Sequence, residues 1–399
     1  MQVHLTPSAP LRTVAATWKG EIYMLRKLCT VLVVSVSVAM VLNTTPAEAL
    51  NAYITNVGAN TISVIDTANN TVTATIPSGA LPFGVAVTPD GATVYVTNEI
   101  DNTVSVIDAA KNTVTATIPV GSSPLGVAAT PEGDTVYVTN HIANTVSVID
   151  TAKNTVTATI PVGSGPVGVA VTPEGDTVYV TNEIDDTVSV IDSASNTSTA
   201  TIPVGVSPFG LAVTPDGSEV YVTNANDNIV SVIDTAKNTV TKTITVGFGP
   251  VGVAINPQGS RVYVANNRDD TVSVIDTTKN TVTATIAFPV GSGPYGVAVT
   301  PDGKALYVTS FNAAAVSVID TAKNTVTATI PVGIGPSAFG IFIQQPALTF
   351  AGSPGHANCY RKTVSALAKQ YGTLDAAAEA LGFPNVRALK NAIRVSCGN

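Results

Sequence analysis

Between residues 51 and 343 the chain consists of short apolar or alternating runs, five or six residues each, closed off by Gly, Pro, Asn or Asp. Runs of that length bounded by turn formers predict β-strands. One representative stretch places strands at residues 84–88, 93–97, 103–107 and 113–118. Pro89-Asp90-Gly91 turns the first onto the second, with Gly open to positive φ and Pro presetting the bend. Asp108 to Asn112 turns the third onto the fourth, using an Asx-type Asp and an Asn that tolerates the left-handed region. In the fourth run Thr113, Thr115 and Thr117 alternate with Val114, Ala116 and Ile118. A period of two predicts a half-exposed outer strand with its hydroxyls outward.

The set repeats. Tyr53-Ile54-Thr55-Asn56 returns as Y-V-T-N at Tyr95, Tyr137, Tyr179 and Tyr221, as Y-V-A-N at Tyr263 and as Y-V-T-S at Tyr307. The spacing is 42 residues five times and then 44. Four short strands per unit at that period predict a β-propeller. The array opens in mid-unit, at a second strand, and ends on Phe339-Gly340-Ile341-Phe342-Ile343, which matches a first strand. Residues 339–343 are therefore expected to pair with residues 53–56, giving seven four-stranded blades and no free sheet edge. Ala287-Phe288 and Ser337-Ala338 read as insertions in the links between blades.

The flanks differ in kind. Residues 1–49 read as an export signal, its basic Arg26-Lys27 preceding an apolar run at 28–42 and an Ala47-Glu48-Ala49 cleavage pattern. The signal proper spans 24–49 and starts at Met24; residues 1–23 are assigned no fold. The run is shorter than the roughly 20 residues a membrane helix needs, so no transmembrane segment is expected in the mature chain. The expected location is periplasmic, cell-surface or secreted. The propeller is expected over 50–344 and a Pro/Gly linker over 345–357. A small helical domain follows over 358–399, with Cys359, Val364, Leu367 and Tyr371 about one turn apart. Cys359 and Cys397 are the cysteines left after the signal and are expected to pair in an oxidising compartment. That bridge stabilises by about 4 kcal/mol on the chain-entropy account.

Charge divides the chain. Residues 50–344 hold 9 Lys and Arg against 23 Asp and Glu, net −14, while residues 345–399 hold 6 against 2, net +4. An acidic body repels nucleic acid and anionic membrane at long range, so no nucleic-acid partner is expected.

The units G-V-A-V-T-P-D-G, V-Y-V-T-N, T-V-S-V-I-D and N-T-V-T-A-T-I-P-V-G, read from Gly84 to Gly121, closely resemble the YVTN-type β-propeller repeat. The likeness covers residues 51–343 in seven in-register copies. It implies an all-β, seven-bladed, extracytoplasmic propeller of the kind found in surface-layer and exported proteins, and it implies no single activity. Propellers related to this repeat include lactonase-like enzymes and haem- or quinone-containing redox subunits, so activity has to be sought in the residues themselves.

The first strands, which line a propeller's channel, carry no charge from Gly84 through Gly340. A general acid or base needs a titratable group there, so no catalytic residue is assigned to the wall. The propeller has one histidine, no cysteine, no C-x-x-C-H and no G-x-S-x-G, and neither cofactor nor metal is expected. Positions that vary among near-identical units are released from the blade's own demands. They concentrate in the loops between second and third strands, where Glu99, Asp101, His141, Glu183, Asp185, Asp186, Asp227, Arg268, Asp269 and Asp270 stand. On the same side, the links between blades place Phe83, Phe209, Tyr295 and Phe339 as an apolar collar. One reading packs the collar between blades and leaves the acids as solubilising charge. The other makes this a docking surface for a cationic or partly apolar partner. Glu183, Asp185 and Asp186 offer oxygen ligands for calcium but lack a calcium-loop spacing. The leading expectation is a monomeric, exported, non-catalytic module that binds a protein or cell-envelope component through this acidic loop face. The alternatives are a lactonase-like hydrolase acting at the channel mouth and a surface-layer structural protein.

Overall fold

A computed structural model describes residues 50–345 together with Leu367, Leu374, Ala377, Ala378, Val386, Leu389, Lys390 and Ile393. The expected signal at 1–49, the linker beyond 345 and both Cys359 and Cys397 lie outside the described residues. The eight tail residues are all helical, and Ala377, Ala378, Leu389 and Ile393 are buried.

Blade 1 is an antiparallel meander of Pro82–Val87, Thr93–Asn98, Thr103–Asp108 and Thr113–Pro119, counted from the channel outward. Blades 2 to 6 repeat it with inner strands beginning at Pro124, Pro166, Pro208, Pro250 and Pro294. Blade 7 contains Asn51–Asn56, Thr61–Asp66 and Thr71–Pro77. The second and third strands are buried on both faces because a blade is covered by its two neighbours, which is why V-Y-V-T-N and T-V-S-V-I-D read as near-continuous apolar runs. The repeated tyrosines are the largest fully buried side chains. Several reach into the following blade: the Tyr179 hydroxyl donates to Asn238 Oδ1 at 2.9 Å and that of Tyr221 to Asn280 Oδ1 at 2.7 Å. Tyr307 closes the circle by donating to the Thr67 carbonyl of blade 7 at 3.3 Å.

Inner strands touch one another directly. A Cβ on Gly126 would lie 2.2 Å from the Val167 carbonyl oxygen, so only glycine admits that approach. The same carbonyl accepts from Thr139 Oγ1 at 2.7 Å, while Gly126 N donates to that hydroxyl at 2.8 Å. One threonine thus joins two blades.

The outer strands depart from strict alternation. Val106 pairs with Ala116 but Ile107 pairs with Val114, so Thr115 is the extra residue of a bulge and donates to the Val106 carbonyl at 3.2 Å. Ile118 is buried as the alternation requires, whereas Val114, beyond the bulge, is 38% exposed.

Closure needs a correction. Blade 7 has three regular strands, and the returning segment lies beside the first of them through separate bridges, Asn56 with Pro336 and Ala52 with Ile343. Ser337 N donates to the Thr55 carbonyl at 3.0 Å, Tyr53 N to that of Phe342 at 2.8 Å and Gln344 N to that of Asn51 at 2.9 Å. Between these points the segment swings toward blade 1, where Val85 N donates to the Phe339 carbonyl at 2.9 Å. The cause is the two-residue insertion: Thr309 Oγ1 donates to the Ser337 carbonyl and Ala338 N donates to Thr55 Oγ1, the bonds made elsewhere by a link residue and its glycine. Ala338, at φ 40°, therefore occupies the glycine position that sequence matching gives to Gly340. The other insertion also shifts. Phe288 N donates to the Asp270 carbonyl as Val120 N does to Asn102, so the extra residues bulge out around Pro289 and Val290. Gln344 Nε2 donates to the Gly91 carbonyl, so Asn51 and Gln344 both lie on the side of the Asp90-Gly91 turns, opposite the loops between second and third strands.

Candidate functional site

The collar residues meet across the axis. Phe209 of blade 4 packs edge-on against Phe339 at 5.4 Å between ring centroids and against Tyr295 of blade 6 at 5.9 Å. Phe83 of blade 1 contacts Tyr295 and Phe339, each at 5.9 Å. Leu125 and Val167 complete the cluster from blades 2 and 3. The collar thus packs into an apolar plug that ends the channel at the loop rim, rather than only wedging between blades. Such edge-to-face contacts add roughly 0.5–1.5 kcal/mol per pair beyond burial. Phe83, Phe209 and Tyr295 stay half-buried at the outer side of this cluster.

Three titratable side chains stand on the same rim on successive blades, each the first residue after a second strand, and two of them, Glu99 and Glu183, act on Tyr295. Glu99 accepts from Ser123 Oγ at 3.3 Å and Glu183 from Ser207 Oγ at 3.1 Å. His141 lies between them in the ring, its Nδ1 buried without a partner. Burial pushes the Tyr295 phenol pKa far up, and the Glu183 and Glu99 carboxylates push it further, so the hydroxyl remains protonated at neutral pH.

The other loop acids have structural tasks. Asp185 accepts from Ser164 N at 2.6 Å, Asp227 from Val206 N at 2.7 Å, Asp101 from Ala80 N at 2.7 Å and Asp269 from Phe248 N at 3.1 Å. Asp186 and Asp270 adopt positive φ and accept from Ser207 N and Gly293 N, each at 2.8 Å. The same place in other blades is held by Asn60, Asn102, Asn144 and Asn228, also at positive φ and also accepting from the link. These six acids pin the incoming link to the loop, so variability at their positions did not mean release from the blade. The recurrent Asn or Asp in the fourth loop position was the signal that could have revealed it. Glu183, Asp185 and Asp186 bind different donors, and among the described residues no three His, Cys, Asp or Glu side chains gather as metal ligands would. Arg268 is exposed and donates to Asn226 Oδ1 at 3.4 Å.

A family model described as lactonase, 7-bladed beta-propeller, matches residues 44–199 and 127–285. Over 39 residues the chain is 59% identical to PE-PGRS family protein PE_PGRS18 of Mycobacterium tuberculosis, a match covering 10% of this chain and 8% of that protein. The chain therefore spans less than a tenth of the length of that curated relative. Similar solved structures include hydrazine synthase of Kuenenia stuttgartiensis, 25% identical over 69% of this chain and 94% of that one, with a TM-score of 0.63. A functionally unknown protein from Desulfotomaculum acetoxidans is 20% identical over 73% and 99%, with a TM-score of 0.64. The dihydro-heme d1 dehydrogenase NirN in complex with DHE is 16% identical over 72% and 74%, with a TM-score of 0.56. These structural likenesses are likenesses of fold.

Proposed function

The chain belongs to the lactonase-type seven-bladed β-propeller family, and within it we propose that it is an exported, non-catalytic module that docks a protein or cell-envelope component on its loop rim. The observation that carries this reading is the aromatic plug. Four rings from four blades close the axis, so the rim offers a broad, shallow surface with an apolar centre and an acidic surround. An apolar core within a polar border is the anatomy of a protein interface. The test is direct binding of fractionated envelope components to the mature chain, with Glu99→Gln/Glu183→Gln as the comparison. Those two carboxylates pin no backbone amide, so their neutralisation leaves the loops in place. Weakened binding supports the reading, and equal recovery of every component by both proteins rules it out.

A second reading is favoured by the family and by Glu99, His141 and Glu183 standing on successive blades at the channel mouth beside a protonated Tyr295. It is a lactonase-like hydrolase, with His141 or Glu183 activating water. Turnover of a lactone panel that disappears in both His141→Asn and Glu183→Gln would replace the docking reading.

A further inference from the structure

Eleven large apolar side chains are exposed among the described residues, and seven of them stand on the loop rim, one in each blade. Blades 1 to 3 supply Ile100, Ile142 and Ile184 from the second loop position. Blades 4 to 7 supply Val206, Phe248, Val290 and Ile334 from the incoming link. The two sources adjoin: Ile100 N donates to the Ala80 carbonyl, Arg268 N to that of Phe248 and Gly58 N to that of Ile334. Where the loop gives isoleucine, the link residue bonded to it is Ala80, Ser122 or Ser164; where the link gives the large side chain, the loop residue bonded to Val206, Phe248 or Ile334 is Asn226, Arg268 or Gly58, whereas in blade 6 Asn312 is bonded to Ser292 and Val290 stands two residues earlier, in the inserted bulge. Ile334 lies against Gly58, and Ile184 lies against Gly165, so either source fills the same place. These side chains are 43% to 99% exposed and contribute little burial to the fold. Six of the seven near-identical blades thus exchange the donor position and keep the apolar side chain, and in blade 6 the insertion presents Val290 on the same side, which is a demand of the surface and not of the blade.

We infer that these seven residues form an apolar crown that seats a protein surface of aliphatic or aromatic side chains bordered by lysine and arginine. The inference rests on the docking reading of the rim and names the partner's chemistry. Charge selects the occupant. The rim loops hold eight carboxylates against the lone Arg268, so an anionic lipid surface is repelled, and a second copy docked face to face would set acid against acid. A basic protein partner is attracted by the same field, and the crown supplies its desolvated contacts.

The probe is an amphipathic peptide of leucine and lysine about five helical turns long, measured against the mature chain beside a leucine–glutamate counterpart and phosphatidylcholine vesicles. The wild type binds the lysine peptide and not the glutamate one, and Ile100→Ser/Ile142→Ser/Ile184→Ser weakens that binding about tenfold or more. The triple variant keeps the wild-type thermal midpoint, because its side chains are exposed; a large fall would make them structural and overturn the inference. No binding by the wild type, or unchanged affinity in the triple variant, also overturns it. So does vesicle binding or self-association of the wild type that the triple variant abolishes. If only Glu99→Gln/Glu183→Gln weakens the peptide, the rim remains a docking surface without the crown. If neither variant does, both readings fall.

Discussion

At the scale of single residues, the repeat provides its own controls. In blade 6 the fourth loop position holds Ala314, at φ 49° and with no side-chain acceptor for the link that Asn60, Asn102, Asn144 and Asn228 secure. Ala314→Asn should therefore stabilise the protein by about 1 kcal/mol, through the left-handed tolerance of Asn and one new hydrogen bond. Asp186→Asn should be near neutral and Asp186→Ala should cost about 1–2 kcal/mol, both read by urea denaturation. The tyrosines set an alkaline limit. Burial raises Tyr53, Tyr95, Tyr179 and Tyr307 from 10.0 to about 12. For a raised folded pKa the unfolded chain releases its protons first, so stability is complete below pH 10, falls from there and is lost through about 12. Phenolate absorbance should rise together with loss of the β-sheet dichroism; phenolate formed ahead of unfolding would contradict the buried placement.

Elements were legible where their pattern was both local and repeated. The two buried central strands, the Pro-Asp-Gly turn and the Asp-to-Asn turn all follow from period, turn chemistry and β-branched residues, and their boundaries shift by one or two residues at most. The outer-strand bulge was not legible, because T-V-T-A-T-I alternates perfectly and only pairing with the third strand reveals that Thr115 has no opposite number. Glycine in the inner strand looked like a strand opener and is instead a contact between sheets. Gly126→Ala forces a methyl group against the Val167 carbonyl, and the backbone cannot yield without opening the junction. A loss of roughly 3 kcal/mol or more is expected from such overpacking, seen as a lower denaturation midpoint. A change below 1 kcal/mol would mean that the blades slide apart easily.

For the whole molecule, the ring could be counted from the sequence, but its seam could not be traced. Blade number follows from seven tyrosine motifs, whereas the two-residue insertion at Ser337-Ala338 breaks the register on which matching relied, and only the bonds to Thr55 and Thr309 identify the true counterparts. The candidate site was legible in part: the collar and the side of the ring were readable, but not the meeting of rings across the axis, which depends on distances between blades far apart in sequence. The seam also governs cooperativity. Ser337→Pro removes the amide bonded to the Thr55 carbonyl and leaves the circle joined less firmly, so blades at the two ends should unfold ahead of the rest. A broader urea transition with a lower slope is the expected result, and an unchanged slope would show that the plug alone holds the circle. Asn51 and Gln344 lie together beside the Gly91 turn, so a tether at either terminus attaches behind the disc. Under the docking reading proposed above, a partner seated on the loops and any tether leaving the propeller's ends would occupy opposite sides and would not compete for the same ground.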